Sequence, residues 1–242
     1  MQQMRIMRFG ESQFDSASSL LLADGEIHLW LAFIPAFTAR IKELEAVLSR
    51  EEIRRMQRYY FPKDRARLAV SYGILRIIMG RYLNIFPHLL TFRRGAAGKP
   101  ELQGFQNLPA FSFNISHSHE LVVFAFSKFR RLGVDVEHIR PMPDFPEIMN
   151  CNFHPYEIAA LQGIPLYERQ QAFFYYWTGK EAFVKATGEG LSRSLASFFI
   201  SLNHEQEEGI ISVGYDGIRA ENWVLRTFRP DPDYVGTVAF EI

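Results

Sequence analysis

The chain has little cysteine, no net charge and no long apolar run. A single cysteine, Cys151, among 242 residues excludes an intramolecular disulfide and a zinc site built on cysteines. Because 27 basic residues balance 27 acidic ones, whole-protein charge gives no reason to expect nucleic acid binding, and any anion site must be local. The most hydrophobic stretches, 27–37 and 121–126, are shorter than the roughly 18 residues that span a bilayer, and the first residues lack an apolar signal core. We expect a soluble cytoplasmic protein that binds neither nucleic acid nor membrane.

Apolar and aromatic residues are plentiful. Hydrophobic residues make up 48% of the chain, and 22 Phe and 10 Tyr are available for a substantial core. Strand-like and helix-like patterns follow one another twice, once before about residue 130 and once after it. We predict an α+β fold with a pseudo-twofold arrangement of two similar α/β halves, residues 1–130 and 131–242, and a site between them.

Local patterns predict the main elements. Residues 1–25 are polar and predict an irregular leader, and Ser49-Arg50-Glu51-Glu52 is a capping box that starts a helix ending before Pro62. Longer helices are predicted over 65–83 and 168–187. Short strands are predicted over 111–115, 121–127 and 132–137, and an antiparallel tail sheet over 197–202, 209–215, 223–228 and 235–242.

Two carboxylates lie two residues apart in the predicted strand Gly133-Val134-Asp135-Val136-Glu137. Alternation sends the valines to one face and Asp135 and Glu137 to the other, with roughly 6–7 Å between their Cα atoms. Two acids so close repel each other unless a cation lies between them, and Mg²⁺ prefers oxygen ligands. Taken alone, the pattern is more often two ordinary acids on a solvent-facing strand.

A carboxylate and an ammonium share one face of the second long helix. Glu181 and Lys185 are four residues apart, and Phe173 and Trp177 continue their row toward the N-terminus. An acid and a lysine that extend an aromatic stripe indicate an interior or a cleft. For this pair alone, a stabilising ion pair at the surface is the alternative.

Polar groups are dense in Phe113-Asn114-Ile115-Ser116-His117-Ser118-His119. Ser116 and His117 could donate hydrogen bonds to a phosphate. A Ser–His nucleophilic pair is a competing interpretation, although residues adjacent in sequence rarely have that geometry. His117 and His119 could bind a transition metal, but no third histidine or cysteine stands nearby.

Basic side chains are concentrated in residues 50–67, where seven Lys or Arg stand against three acids, a net of +4. In a neutral chain this concentration indicates a polyphosphate site, with a solvated helix face as the alternative. Lys99, before Pro100, adds a lysine in an extended segment.

The order and spacing of these segments resemble the 4′-phosphopantetheinyl transferases of the surfactin-synthetase-activating type. Four motifs stand in the family's order: Gly98-Lys99-Pro100, Phe113 to Ser118, Gly133 to Glu137, and Trp177-x-x-Lys180-Glu181-Ala182-x-x-Lys185-x-x-Gly188-x-Gly190-Leu191. The basic stretch 58–67 looks closest to cyanobacterial members that serve fatty-acid and polyketide carrier proteins. His119 and Ser71 depart from the family pattern, because each stands where glycine is common.

The resemblance implies a monomer with coenzyme A in a cleft between the halves. Such an enzyme transfers phosphopantetheine to a serine of an acyl or peptidyl carrier protein, requires Mg²⁺ and releases 3′,5′-ADP. By the same resemblance, Asp135, Glu137 and Glu181 are expected to hold Mg²⁺, and Glu181 to act as the base, directly or through a water. Lys185 is expected to contact the coenzyme's phosphates and to neutralise the leaving group. The other expected phosphate contacts are Arg55, Arg67, Lys99, Ser116 and His117.

Two other functions remain open from the sequence. One is a non-catalytic module that binds coenzyme A or a carrier protein, although all three acids are intact. The other is a hydrolase built on Ser116 and His117.

Overall fold

The computed structural model describes residues 2–95, 98–104, 111–129, 131–190, 194–201 and 222–242. Within them, helices and strands combine as the α+β prediction requires, and the two main sheets share no strand. None of the helices in these ranges is long and apolar enough to cross a membrane. The domain boundary near residue 130 stays a prediction.

The part of the chain before residue 130 forms the larger sheet. Its elements are β1 (Gln3–Arg8), α1 (Glu11–Phe14), β2 (Glu26–Phe33), α2 (Ile41–Ala46), α3 (Arg50–Gln57), α4 (Pro62–Leu83), β3 (Phe92–Arg94), β4 (Pro100–Leu102), β5 (Ser112–Ser118) and β6 (Leu121–Ser127). The strand order is β1-β2-β6-β5, with β1 parallel to β2 and the other pairs antiparallel. β3 and β4 form a separate two-stranded ribbon.

The part after residue 130 forms the smaller sheet. Its elements are β7 (Leu132–His138), α5 (Phe145–Asn152), α6 (Pro155–Gln162), α7 (Leu166–Thr187), β8 (Trp223–Phe228) and β9 (Tyr234–Glu241). The strands are antiparallel in the order β7-β9-β8, and α7 packs across β7 and β9.

Three clusters of buried side chains hold the layers together. One joins α4 to the larger sheet, a second joins α7 to the smaller sheet, and a third lies between the two sheets. β6 is buried along its whole length because Phe124 and Phe126 belong to the first cluster while Val123 and Ala125 belong to the third. The two sheets are therefore packed together through one face of β6.

Two predicted segments differ from the structure. Residues 1–25 were expected to be irregular, but β1 pairs with β2, because an edge strand needs only one partner and tolerates polar residues. Residues 197–202 were expected to be a strand, but Lys180 Nζ donates to Phe198 O at 2.7 Å and Ile200 N donates to Glu157 Oε1 at 2.8 Å. Phe199 forms an isolated β-bridge, so the described part of this segment, 197–201, pairs at one residue rather than as a strand, and residue 202 lies outside the described residues. The predicted strand 209–215 lies outside the described residues.

Helix starts follow local chemistry. Ser49 caps α3 as predicted: Glu52 N donates to Ser49 Oγ at 3.2 Å, and Ser49 N donates to Glu52 Oε2 at 2.7 Å. α4 begins three residues earlier than predicted, because Pro62 is accommodated in the first turn, where its missing N–H costs nothing.

Candidate active site

A cleft of about 670 Å³ opens between α3 and α4 on one side and β5, β7 and α7 on the other. All nine side chains predicted for the site line it: Arg55, Arg67, Lys99, Ser116, His117, Asp135, Glu137, Glu181 and Lys185. The structure therefore brings together every residue that the motifs indicated. Their individual roles stay predictions.

The close approach of β7 to α7 depends on Gly133. A Cβ atom at this position would overlap the carbonyl oxygen of Ala182 and the backbone nitrogen of Ala186. Glycine is the residue that permits such a backbone contact. The contact sets Asp135 and Glu137 of β7 beside Glu181 and Lys185 of α7.

Asp135 is the most enclosed carboxylate in the cleft, at 4% exposure. Its Oδ1 accepts hydrogen bonds from Ser116 Oγ at 2.8 Å and from Lys185 Nζ at 2.6 Å. Its Oδ2 is buried and has no hydrogen-bond partner among the described residues. Burying an anionic oxygen without a hydrogen-bond partner costs free energy. A cation bound at this atom would offset that cost.

Glu137 and Glu181 complete the acidic group. Burial raises the pKa of both carboxyls, and the charge of Asp135 raises it further. Ser118 Oγ donates to Glu137 Oε2 at 2.7 Å. Together the three carboxylates offer oxygen donors of the kind that a hard divalent cation such as Mg²⁺ prefers. Across the described ranges, no three His, Cys, Asp or Glu side chains form a preformed metal site. The Asp135 carboxylate is hydrogen-bonded to Lys185 instead.

Polar side chains of β5 connect this strand to β7. Besides the Ser116–Asp135 bond, Ser118 Oγ accepts from His138 N at 3.0 Å. Asn114 Oδ1 accepts from Val134 N at 2.8 Å. Ser116 Oγ also accepts from Lys185 Nζ at 3.0 Å, so its hydroxyl is held by Asp135 and Lys185 rather than by His117. This geometry disfavours the Ser116–His117 hydrolase.

Cationic side chains also line the cleft. Lys99 Nζ donates to Leu132 O at 2.9 Å and to Lys185 O at 3.0 Å, and its burial lowers the pKa of the ammonium to about 8. Arg55 donates to the Tyr72 hydroxyl at 3.0 Å. Arg67 pairs with Asp64 at 3.3 Å. These cations make the cleft suitable for a polyanionic ligand.

His117 lies close to two cationic side chains of the cleft, Arg67 and Lys185. Burial lowers the pKa of its imidazole, and the positive charges of Arg67 and Lys185 lower it further. A neutral imidazole retains one N–H donor for a ligand.

His119 shows how the chain accommodates one departure from the family pattern. It occupies the two-residue turn between β5 and β6 with φ 51°, a left-handed conformation that favours glycine. Its ring stacks on His138 at 4.7 Å, and His138 in turn contacts the ring of Tyr234 at 4.9 Å. This stacking offsets part of the backbone cost.

Ser71, the other departure, lines the cleft from α4. It is 3% exposed, and its hydroxyl has no hydrogen-bond partner among the described residues, carbonyl groups of its own helix included.

Ser71→Ala is expected to raise the free energy of unfolding of the ligand-free protein by about 1 kcal/mol, because it removes an unsatisfied buried hydroxyl and improves helix propensity. Urea unfolding measures this change. The matched control is Ser127→Ala, which removes a buried hydroxyl that accepts from Phe129 N at 3.1 Å, and it should lose stability. A loss of stability in Ser71→Ala equal to that of the control would contradict the expectation.

Lys180 has a different environment from its motif neighbours. It is 0% exposed, and its Nζ lies 2.8 and 2.6 Å from the two oxygens of Glu157, which is 1% exposed. Phe198 contributes its carbonyl and its ring, whose centroid is 4.2 Å from Nζ. Desolvation lowers the pKa of this ammonium to about 8, and the Glu157 carboxylate opposes that shift. The motif lysine thus joins α7 to α6 and does not line the cleft.

Comparison with known proteins identifies the family. The protein-family model described as "4′-phosphopantetheinyl transferase, N-terminal" matches residues 36–129, and that of the "4′-phosphopantetheinyl transferase superfamily" matches residues 131–239. The 4′-phosphopantetheinyl transferase HetI of Nostoc sp. is 34% identical over 221 residues, which are 91% of this chain and 90% of that protein. The chain belongs to the 4′-phosphopantetheinyl transferase superfamily.

Other transferases of this superfamily agree with the finer resemblance. The putative 4′-phosphopantetheinyl transferase slr0495 of Synechocystis sp. is 35% identical over 69% of this chain and 67% of its own length. The 4′-phosphopantetheinyl transferase Sfp of Bacillus subtilis is 28% identical over 77% of this chain and 79% of its own length. The predicted resemblance to the surfactin-synthetase-activating type and to cyanobacterial members is confirmed. A solved structure described as "Chronobacterium ammoniagenes ACPS-CoA complex" covers 45% of this chain and 93% of its own at 21% identity with a TM-score of 0.34, too low a similarity to bear on the fold.

Proposed function

We propose that this transferase moves the 4′-phosphopantetheine group of coenzyme A to a serine hydroxyl of an apo carrier protein, releasing 3′,5′-ADP. The observation that supports this most directly is the cleft itself. It places a buried, unpartnered carboxylate oxygen of Asp135 among two further acids and a set of cationic side chains. We further propose that it acts as a cytoplasmic monomer and that residues of both halves, 1–130 and 131–242, line the cleft.

Asp135, Glu137 and Glu181 are the residues that would hold Mg²⁺. Bound there, the ion would offset charge on the pyrophosphate of coenzyme A. The donor chemistry and the orphaned oxygen of Asp135 support this assignment.

The chain's own residues account for binding and proton transfer. Lys99 and His117 line the cleft with donors for the coenzyme's phosphates, Ser116 lies beside them with its hydroxyl donating to Asp135, and Arg55 and Arg67 extend this surface along α3 and α4. In the transfer, the serine oxygen of the carrier protein forms a bond to the phosphorus that bears pantetheine, and the bond from that phosphorus to the bridging oxygen breaks. The serine proton goes to the Glu181 carboxylate, whose raised pKa suits a base. Lys185 neutralises the charge that develops on the departing 3′,5′-ADP.

Mass spectrometry of apo carrier proteins incubated with the enzyme, coenzyme A and Mg²⁺ tests the function. A gain of one phosphopantetheine per carrier is expected, and it should disappear when the carrier serine is replaced by alanine or when the ion is chelated. Coenzyme A or carrier binding without any mass gain would instead favour the non-catalytic binding module. Transfer that stops in Ser116→Ala at unchanged coenzyme affinity would revive the Ser116-based mechanism.

Coenzyme A binding is expected to weaken by about tenfold between pH 7 and pH 9.5 because Lys99 loses its proton. In the free protein the pKa of Lys99 lies near 8, below its ordinary value, so the ammonium that attracts the anionic coenzyme is lost as pH rises through that range. Two of its three N–H donors bond carbonyl groups, which leaves one for a phosphate. Calorimetric titration across this pH range measures the effect.

The Lys99→Met variant is the control for this pH dependence. It should bind coenzyme A about as weakly at pH 7 as the wild-type protein does at pH 9.5. A wild-type affinity that stays flat over the range, or a slope retained in Lys99→Met, would assign the binding to other groups.

A further inference from the structure

The connection between α3 and α4 exposes three consecutive aromatic rings. Tyr59 is 37% exposed, Tyr60 86% and Phe61 55%. We call residues 58–65 the elbow. Aromatic rings that a soluble domain leaves contiguous and exposed mark interaction surfaces, because they supply much of the binding energy at interfaces.

The elbow is held in place by its own bonds. Arg65 Nε donates to Tyr59 O at 2.8 Å, and the backbone nitrogens of Asp64 and Arg65 donate to Phe61 O at 3.1 and 3.3 Å. The rings of Tyr60 and Phe61 meet edge to face at 5.1 Å. A surface ordered before binding loses less conformational entropy when a partner arrives.

The elbow carries positive charge. Arg58, Lys63 and Arg65 are exposed, and Arg54 precedes them on the last turn of α3. The acid within the segment, Asp64, is paired with Arg67 at 3.3 Å. In a chain of zero net charge, this local excess selects for a partner with an acidic surface.

The elbow is continuous with the cleft. Tyr59 and Asp64 belong to both, and Arg67 lines the cleft just beyond the elbow. As far as the described residues show, a protein seated on the elbow would therefore lie beside the cleft and could present a side chain to it. This continuity favours a protein substrate over a membrane, which would gain nothing from contact with the cleft.

We propose that the elbow is the docking surface for the acidic carrier protein, with the rings of Tyr60 and Phe61 in an apolar depression of the partner and Arg58, Lys63 and Arg65 against its carboxylates. This inference rests on the proposed function, because it assigns a position to that function's protein substrate.

Steady-state kinetics at saturating coenzyme A test the proposal in Tyr60→Ala/Phe61→Ala and in Arg58→Glu/Lys63→Glu. For each double variant, KM for the carrier protein should rise about tenfold, kcat should stay within about twofold and the Kd of coenzyme A should not change. Added salt should raise KM in the wild-type enzyme and much less in the charge variant. The matched control is Tyr167→Ala, which removes a ring 83% exposed at the start of α7, and it should change none of these constants.

Other outcomes would overturn the docking surface. Equal losses in the elbow variants and in Tyr167→Ala would make the effect non-specific, and a parallel loss of coenzyme affinity would make the elbow part of the coenzyme site. If the wild-type enzyme bound phosphatidylglycerol vesicles, the elbow variants did not, and KM for the carrier protein stayed the same in all of them, the elbow would be a membrane-binding surface. If the wild-type enzyme is active but the elbow substitutions do not change KM for the carrier protein, the docking surface is refuted and the proposed function is not. A wild-type enzyme that modifies no carrier protein removes the proposed function and the docking surface with it.

Discussion

Glu181→Gln is expected to lower the rate of phosphopantetheine transfer by at least about 100-fold, because it removes both a proton acceptor and an anionic oxygen donor from the cleft. The variant should nevertheless fold normally. Burial and Asp135 raise the pKa of Glu181, which means that its charge is disfavoured in the folded protein. A neutral amide of the same shape relieves that repulsion, so Tm should equal or exceed the wild-type value.

Single-turnover transfer and thermal unfolding, measured together, test this pair of expectations. The matched control is Glu168→Gln on the first turn of α7, where the acid is exposed and distant from the cleft. It should change neither rate nor Tm. A Glu181→Gln enzyme that labels carrier protein at the wild-type rate would remove Glu181 from both assigned roles, and one that unfolds at lower temperature would make the carboxylate structural.

Lys180→Met is expected to lower the free energy of unfolding by about 3–5 kcal/mol, the largest stability effect that we expect from any single substitution here. The variant leaves the Glu157 carboxylate buried without its ammonium partner. It also removes the donor to Phe198 O, which orders the segment that follows α7.

Urea unfolding of a double-mutant cycle checks the mechanism. Glu157→Gln should be strongly destabilising as well, whereas Lys180→Met combined with Glu157→Gln should recover part of the loss because no unpaired charge remains. Additive losses in the cycle would show that the two groups do not act as a pair.

The resemblance could predict which side chains gather in the cleft, because the four motifs carry seven of them in order and the basic segment 50–67 carries Arg55 and Arg67. It assigned Lys185 to the site and gave Lys180 no role. Successive residues on a helix are about 100° apart, so Lys180 points well away from the face shared by Glu181 and Lys185. That offset was readable in the sequence, but the partner that gives it meaning, Glu157, lies 23 residues away and is found only in the fold.

Tertiary bonds also explain why the predicted strand after α7 is reduced to a single bridge at Phe199 in the described residues. The apolar alternation of Phe198 and Ile200 is real, and both side chains are buried in the cluster under α7. Their backbone groups, however, bond to Lys180 and Glu157. Periodicity reports which side chains are buried, and it does not distinguish a strand from an extended segment bonded by buried side chains.

The missing side chain of Gly133 has a consequence for redesign of the coenzyme pocket. Because β7 and α7 meet backbone to backbone there, neither can be brought closer, and any substitution at this position would push the acidic residues away from the helix. The backbones of β7 and α7 are therefore fixed relative to each other at this point. Redesign of the opening is left to side chains, such as Trp177 and Val184 of α7 and Leu68, Ser71 and Tyr72 of α4.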